Sequence, residues 1–154
     1  MLLQNGASNN TAVGNNALYN NTASDNTAIG YNAMQANTTG INNVAVGTSA
    51  LGSNQTGSAN IAIGYGALLA TTSSNNTGVG YGALYQNTSG ANNTALGYQA
   101  AFTQTSLGFN TTAVGYQALY TNAATNNTAL GYQAMYTNSA GTGNIAAGVQ
   151  ALYS

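Results

Sequence analysis

Asn60-Ile61-Ala62-Ile63-Gly64-Tyr65-Gly66-Ala67-Leu68 is one of nine near copies of a single phrase. Its first glycine recurs as Gly14, Gly30, Gly47, Gly64, Gly80, Gly97, Gly115, Gly131 and Gly148, at intervals of 16 to 18 residues. A period this short, sustained along 154 residues, predicts a solenoid in which each unit buries its apolar side against the next copy. Helical repeats need about 33 residues or more per unit. The β-branched residues flanking Ala62, with frequent Asn and Gly between copies, favour strands. The expected fold is all-β: a parallel β-solenoid of about nine coils, one repeat domain over residues 1–154.

Within each copy the residues sort by position. Side chains alternate across a strand, so Ile61 and Ile63 share one face and Ala62 takes the other. The larger aliphatics are expected inside: Val13, Ile29, Val46, Ile63, Val79, Leu96, Val114 and Leu130. A second arm after the glycine is expected to add Leu18, Leu68, Leu84 and Leu119 to that core. The alanines Ala12, Ala28, Ala45, Ala62, Ala95, Ala113, Ala129 and Ala146 are then outward, a small-residue seam along which other copies of the chain approach. Asp at Val46 or Ile63 is expected to abolish folding by burying an unpaired charge, and Leu at Ala62 to disturb assembly instead. Asn stands four residues before the glycine in eight of nine copies, Thr111 being the exception, and is expected to pair amides from coil to coil.

Composition removes most chemistry. Lys, Arg, His and Cys are absent and Asp25 is the single charged side chain. General acid–base catalysis needs titratable groups set against one another, so no enzyme and no cofactor is expected. Phosphate recognition draws on Lys and Arg, which argues against nucleic acid and against an anionic membrane surface. No run of about 20 apolar residues exists to span a bilayer, and Met1 to Asn5 lacks the features of a secretory signal.

Asn43-Val44-Ala45-Val46-Gly47 and Asn60-Ile61-Ala62-Ile63-Gly64 resemble the Ser-Val-Ala-Ile-Gly repeat in the heads of trimeric autotransporter adhesins. The stretches Thr111–Tyr120 and Asn127–Tyr136 resemble repeats of phage tail fibres and related surface proteins. The resemblance covers nearly the whole chain. It implies a left-handed β-roll, a homotrimer, an extracellular position on a virion or cell surface, and attachment to a host glycan or protein. The units here are longer than the adhesin repeat, and the tyrosine after the glycine is not part of that motif.

Tyr31, Tyr65, Tyr81, Tyr98, Tyr116 and Tyr132 follow the glycine, and Tyr19, Tyr85, Tyr120, Tyr136 and Tyr153 lie four residues further on. Stacked coils would align each set into a ladder offering a platform for sugars or proteins, or covering the thin core. Nine Asn-x-Ser/Thr sequons, among them Asn9, Asn37, Asn75, Asn92 and Asn126, arise chiefly from the repeat itself. Gly78, Gly80 and Ala83 match a nucleotide-loop spacing, but inside one degenerate repeat. Three readings follow. The first is a trimeric shaft or adhesive head. The second is a filament subunit stacking end to end through its apolar termini, Met1-Leu2-Leu3 and Ala151-Leu152-Tyr153. The third, ice or mineral binding, needs outward threonine rows, whereas the threonines three before the glycine are expected inside.

Overall fold

The computed structural model describes residues 7–104 and 109–154; the Met1-Leu2-Leu3 segment lies outside the described residues. Three-residue strands precede the anchor glycines: β1 (Thr11–Val13), β2 (Thr27–Ile29), β3 (Val44–Val46), β4 (Ile61–Ile63), β5 (Thr77–Val79) and β6 (Thr94–Leu96). Further along, β8 (Thr112–Val114), β10 (Thr128–Leu130) and β12 (Ile145–Ala147) continue the series. Between them lie the two-residue strands β7 (Thr103–Gln104), β9 (Thr121–Asn122) and β11 (Thr137–Asn138). The long series forms one nine-stranded parallel sheet in chain order, and the short strands form a second sheet of three. Like residues pair in register, Ala45 with Ala62 and Val46 with Ile63. The molecule is therefore an all-β parallel solenoid, with no helix among the described residues.

The arm after the glycine is not a strand. It is a run of turns in which the backbone twice enters the left-handed region, at the second and fourth residues past the glycine. Leu18, Leu51, Leu68, Leu84, Leu119 and Met135 all hold φ between 48° and 53°, or 55° for Leu84. A β-branched side chain there would be a steric outlier, and none of the nine copies carries one. Hydrogen bonds still climb between coils, from Leu51 N–H to the Ala67 carbonyl and from Leu68 N–H to that of Ala83, at 3.0 and 2.9 Å.

The anchor glycine is dictated by two constraints at once. Gly64 has φ of 128°, and a Cβ on it would collide with the carbonyl of Gly80 one coil on. Each anchor glycine from Gly14 to Gly131 thus turns the chain and lets two backbones come close, and Gly148, in the last coil, only turns the chain.

Burial inverts the expected polarity of the strand arm. Ala28, Ala45, Ala62, Ala95, Ala113 and Ala129 are fully buried, Ala146 is buried and Ala12 packs against the core. Val13 is 57% exposed and Ile63 41%. Ile29, Leu96 and Leu130 are exposed likewise, and Val46, Val79 and Val114 are half-buried. The alternation was legible but its sign was not, because the leucines of the turn arm leave no room for a second large inward side chain facing them. At Gly78, the one strand where Ala is missing, an added Cβ would lie 3.2 Å from Leu68 Cγ and 3.1 Å from the Ala83 carbonyl. The close approach that demands alanine is therefore internal, and these residues cannot form an oligomer seam. The core proper is this alanine column, the alanines three past the glycine, and Leu18, Met34, Leu51, Leu68, Leu84, Leu119 and Met135.

Two buried asparagine columns close the interior. In the expected one, the side chains bond mainly to backbone: Asn43 N–H donates to Asn26 Oδ1 at 3.0 Å, Asn60 N–H to Asn43 Oδ1 at 2.9 Å and Thr111 N–H to Asn93 Oδ1 at 2.9 Å. Their Nδ2 groups donate to loop carbonyls, Asn26 to Gly40 and Asn43 to Gly57. The second column, seven residues past the glycine, was not foreseen. Asn37 Nδ2 donates to Asn21 Oδ1 at 2.6 Å, Asn54 to Asn37 at 3.0 Å and Asn138 to Asn122 at 2.8 Å. Both columns meet at Gly40, whose carbonyl receives Asn26 and Asn37 together. With donors and acceptors satisfied, the buried amides carry little desolvation penalty.

Candidate functional site

Among the described residues the chain offers surfaces. The first is the outer side of the nine-stranded sheet, where the residues one and three before each glycine stand in two columns. One column reads Val13, Ile29, Val46, Ile63, Val79, Leu96, Val114, Leu130 along the rod. The other carries Thr27, Thr77, Thr94, Thr112 and Thr128, so these threonines face outward, against the expectation that placed them inside. That column is interrupted by Val44, Ile61 and Ile145, and its longest threonine run spans four coils. A threonine lattice across the whole face is therefore not present.

The second surface follows the glycine. Tyr65, Tyr81, Tyr98, Tyr116 and Tyr132 stack with ring centroids 5.0 to 5.3 Å apart and planes within 13°. A parallel stack runs through Tyr85, Phe102, Tyr120, Tyr136 and Tyr153 at 5.0 to 5.3 Å. Tyr31 stands outside the run, because the neighbouring coils place Asn15 and Thr48 at its position. Stacking changes what the ladder can do. Inner ring faces are covered by other rings, so edges and hydroxyls are what remain for a ligand, not open faces.

Between the aromatic columns lies an amide ladder that sequence reading missed. Gln117 Nε2 donates to Gln99 Oε1 at 2.9 Å, Gln133 to Gln117 at 3.0 Å and Gln150 to Gln133 at 3.2 Å. The signal was present: Gln recurs two residues past the last four anchor glycines. Position along the rod matters here. The equivalent residues Gly66 and Gly82 have no side chain, and a Cβ on Gly82 would meet the Phe102 ring at 3.1 Å and Gln99 Cγ at 3.6 Å. The glutamine column and the outer aromatic column are thus immediate neighbours.

The Tyr136 hydroxyl has its pKa raised, first by burial and then by Tyr120, Tyr153 and Tyr116. Tyr116 belongs to the other stack, so the two hydroxyl rows lie within electrostatic reach of each other.

Of the sequons, Asn37 is fully buried in the second asparagine column and is not available to modification in the folded chain. Asn9, Asn75, Asn92 and Asn126 are exposed, each in a left-handed turn. Asp25 occupies the same kind of turn, exposed, accepting a 2.9 Å hydrogen bond from Asn9 Nδ2. Gly78 and Gly80 sit in and after β5, with turns and no helix following, so the nucleotide-loop spacing has no structural counterpart. A small cavity of about 160 Å³ lined by Met135, Asn138, Asn144 and Leu152 is the interior seen from the last coil.

Comparison with protein-family models, curated proteins and solved structures finds no match to this chain.

Proposed function

We propose that this chain is a structural and adhesive fibre module: a trimeric, left-handed β-roll displayed outside a virion or cell, giving reach and a repeated neutral surface for attachment to a host glycan or protein. The observation that carries the reading is the aliphatic column from Val13 to Leu130, exposed or half-buried on the outer side of eight successive strands of one sheet. A contiguous apolar strip of this kind marks an interaction surface. Burying it contributes about 25 cal/mol per Å², which a core built largely of alanine needs.

Self-association fits because no charge opposes it. Sheets that stay single usually guard themselves with charged side chains, and this one carries none on its outer face. A closed ring of copies about the rod axis buries every strip equally and stops growing, as cyclic symmetry requires. The seam is therefore aliphatic, in place of the alanine seam expected from sequence. The resemblance to adhesin and tail-fibre repeats supports three copies, and the absence of paired titratable groups supports a role without catalysis.

Light scattering on the purified chain tests the assembly: the expected mass is three times the 15.4 kDa of one chain. The variant Ile63→Asp/Val114→Asp should run as a monomer with its β circular dichroism kept. A wild-type monomer at micromolar concentration would refute the trimer, and fibrils of unbounded length would favour the filament. Antibody against the chain should decorate projecting fibres on intact particles or cells; label confined to the cell interior would overturn the surface role.

A further inference from the structure

Three successive coils, those after Gly97, Gly115 and Gly131, carry three aligned columns at one corner of the rod, and the last coil continues two of them with Gln150 and Tyr153 but has Val149 in place of the tyrosine. Tyr98, Gln99 and Phe102 form the first such level, and Tyr116, Gln117 and Tyr120 the next. We propose that this corner is a binding track for an extended, neutral, β-1,4-linked pyranose polysaccharide that runs parallel to the rod with one sugar ring per coil. The inference rests on the attachment role proposed above and names the ligand class for it.

Periodicity is the first argument. Along the track the rings repeat every 5.0 to 5.3 Å, centre to centre, from Tyr98 through Tyr116 to Tyr132 and from Phe102 through Tyr120 and Tyr136 to Tyr153. A compact ligand would use one level and ignore the others. A polymer whose advance per ring is close to this separation can meet successive levels, and an extended β-1,4-linked pyranose chain advances by a similar length per ring, with alternate rings presenting opposite edges to the mixed donor and acceptor row. An α-1,4-linked chain coils and falls out of step.

Hydrogen-bonding capacity is the second. In the amide ladder each inner glutamine commits one N–H and one oxygen lone pair to its neighbours. A primary amide has two N–H donors and two lone pairs, so Gln117 and Gln133 each keep one of both for a ligand. The tyrosine hydroxyls add a donor and acceptor per level at the ring edges. Sugar hydroxyls match such a mixed row, because each can give and take one hydrogen bond.

Charge is the third. No ionised side chain stands anywhere on these coils, so an anionic polymer would be desolvated without a counter-charge, whereas a neutral glycan has only hydroxyls to desolvate, which the amides and phenols can re-bond. Each level adds a weak contact to a ligand already held, and affinity should climb steeply with chain length.

Calorimetry with the full chain and a series of cello-oligosaccharides and chito-oligosaccharides tests the track. The expected result is affinity rising at least ~10-fold from the disaccharide to the tetrasaccharide in one series or both, with maltohexaose silent. The variant Gln117→Ala/Gln133→Ala should lose about 10-fold in affinity while circular dichroism and assembly mass stay unchanged. The inference is overturned by absence of binding in both series, by affinity independent of length, or by equal binding of the variant. Mass and glycan binding are read separately: a trimer that ignores both glycans sinks the track alone, and a monomer that binds them sinks the trimeric fibre and leaves the track.

Discussion

In the strand arm the interior takes Ala62 while Ile61 and Ile63 face out; in the turn arm of the same coil two successive residues, Ala67 and Leu68, both lie inside. The first arm obeys strict alternation, as extended backbone must. The second breaks it, because Leu68 stands at φ of 52° and the left-handed conformation swings its side chain to the same side as its neighbour's. One coil thus puts small residues inside along one wall and large ones along the other, and the leucine from one wall fills the space that alanine leaves on the opposite wall. Residue size at a position reports the distance to the facing wall, not the choice between core and solvent.

Removing the large half of this arrangement should do the most damage. Leu68→Ala leaves a cavity between rigid coils and is expected to cost about 2–5 kcal/mol, read as a fall in urea midpoint; a loss under half a kilocalorie would dissolve the distinction between the walls. Enlarging the small half comes next. Ala62→Leu has no room against the adjoining leucine and should cost about 1–3 kcal/mol, seen in thermal melts of the monomeric Ile63→Asp/Val114→Asp background.

Shape at constant volume separates conformation from packing. Leu68→Ile should be worse than Leu68→Met by about 1–2 kcal/mol, since only isoleucine is β-branched at a left-handed residue; equal stability of the two would refute the steric account of that column. On the outer side, Ile63→Asp should change the stability of the single chain by about 0.5 kcal/mol or less, the reverse of the collapse that its sequence position suggests, while still weakening assembly.

The smallest effect concerns pH. The folded chain favours the neutral Tyr136 phenol, so below the ordinary tyrosine value of about 10 this residue leaves stability unchanged. Above it the unfolded chain releases its proton first, and stability declines until the raised folded value is passed. Urea midpoints measured upward from about pH 9 should fall less steeply in Tyr136→Phe; parallel curves would remove the stack's contribution.

The solenoid was legible because its evidence is translational: nine glycines at nearly equal intervals admit few other folds. The inward leucines were legible too, as the largest residues at an invariant offset from them. What misled was the assumption that the bulkier face of an alternating strand is the buried one, which holds for wide cores and fails in a coil that alanine already fills. The turn arm was harder to read, since Tyr-Gln-Ala-Leu-Tyr carries no glycine to mark its left-handed residues; the missing Val, Ile and Thr at the leucine position were the available sign. The second asparagine column hid inside segments that read as loops. A subtler regularity also went unread: Gly40, Gly57, Gly90 and Gly141 each stand ten residues past an anchor, in the four coils of 17 residues. The coils of 16 lack them, so the extra residue of the longer ones is absorbed at this loop glycine.

The glycine column has a bearing on how such a gene can change. Since Gly64 meets Gly80 as Gly80 meets Gly97, residues 65–80 can be excised and the cut ends rejoin through an identical joint. Unequal crossing-over between copies would then add or subtract whole storeys, each about 4.8 Å tall, and leave the cross-section untouched. Reach becomes a heritable quantity that varies in steps, free of the constraint that most insertions place on a folded domain.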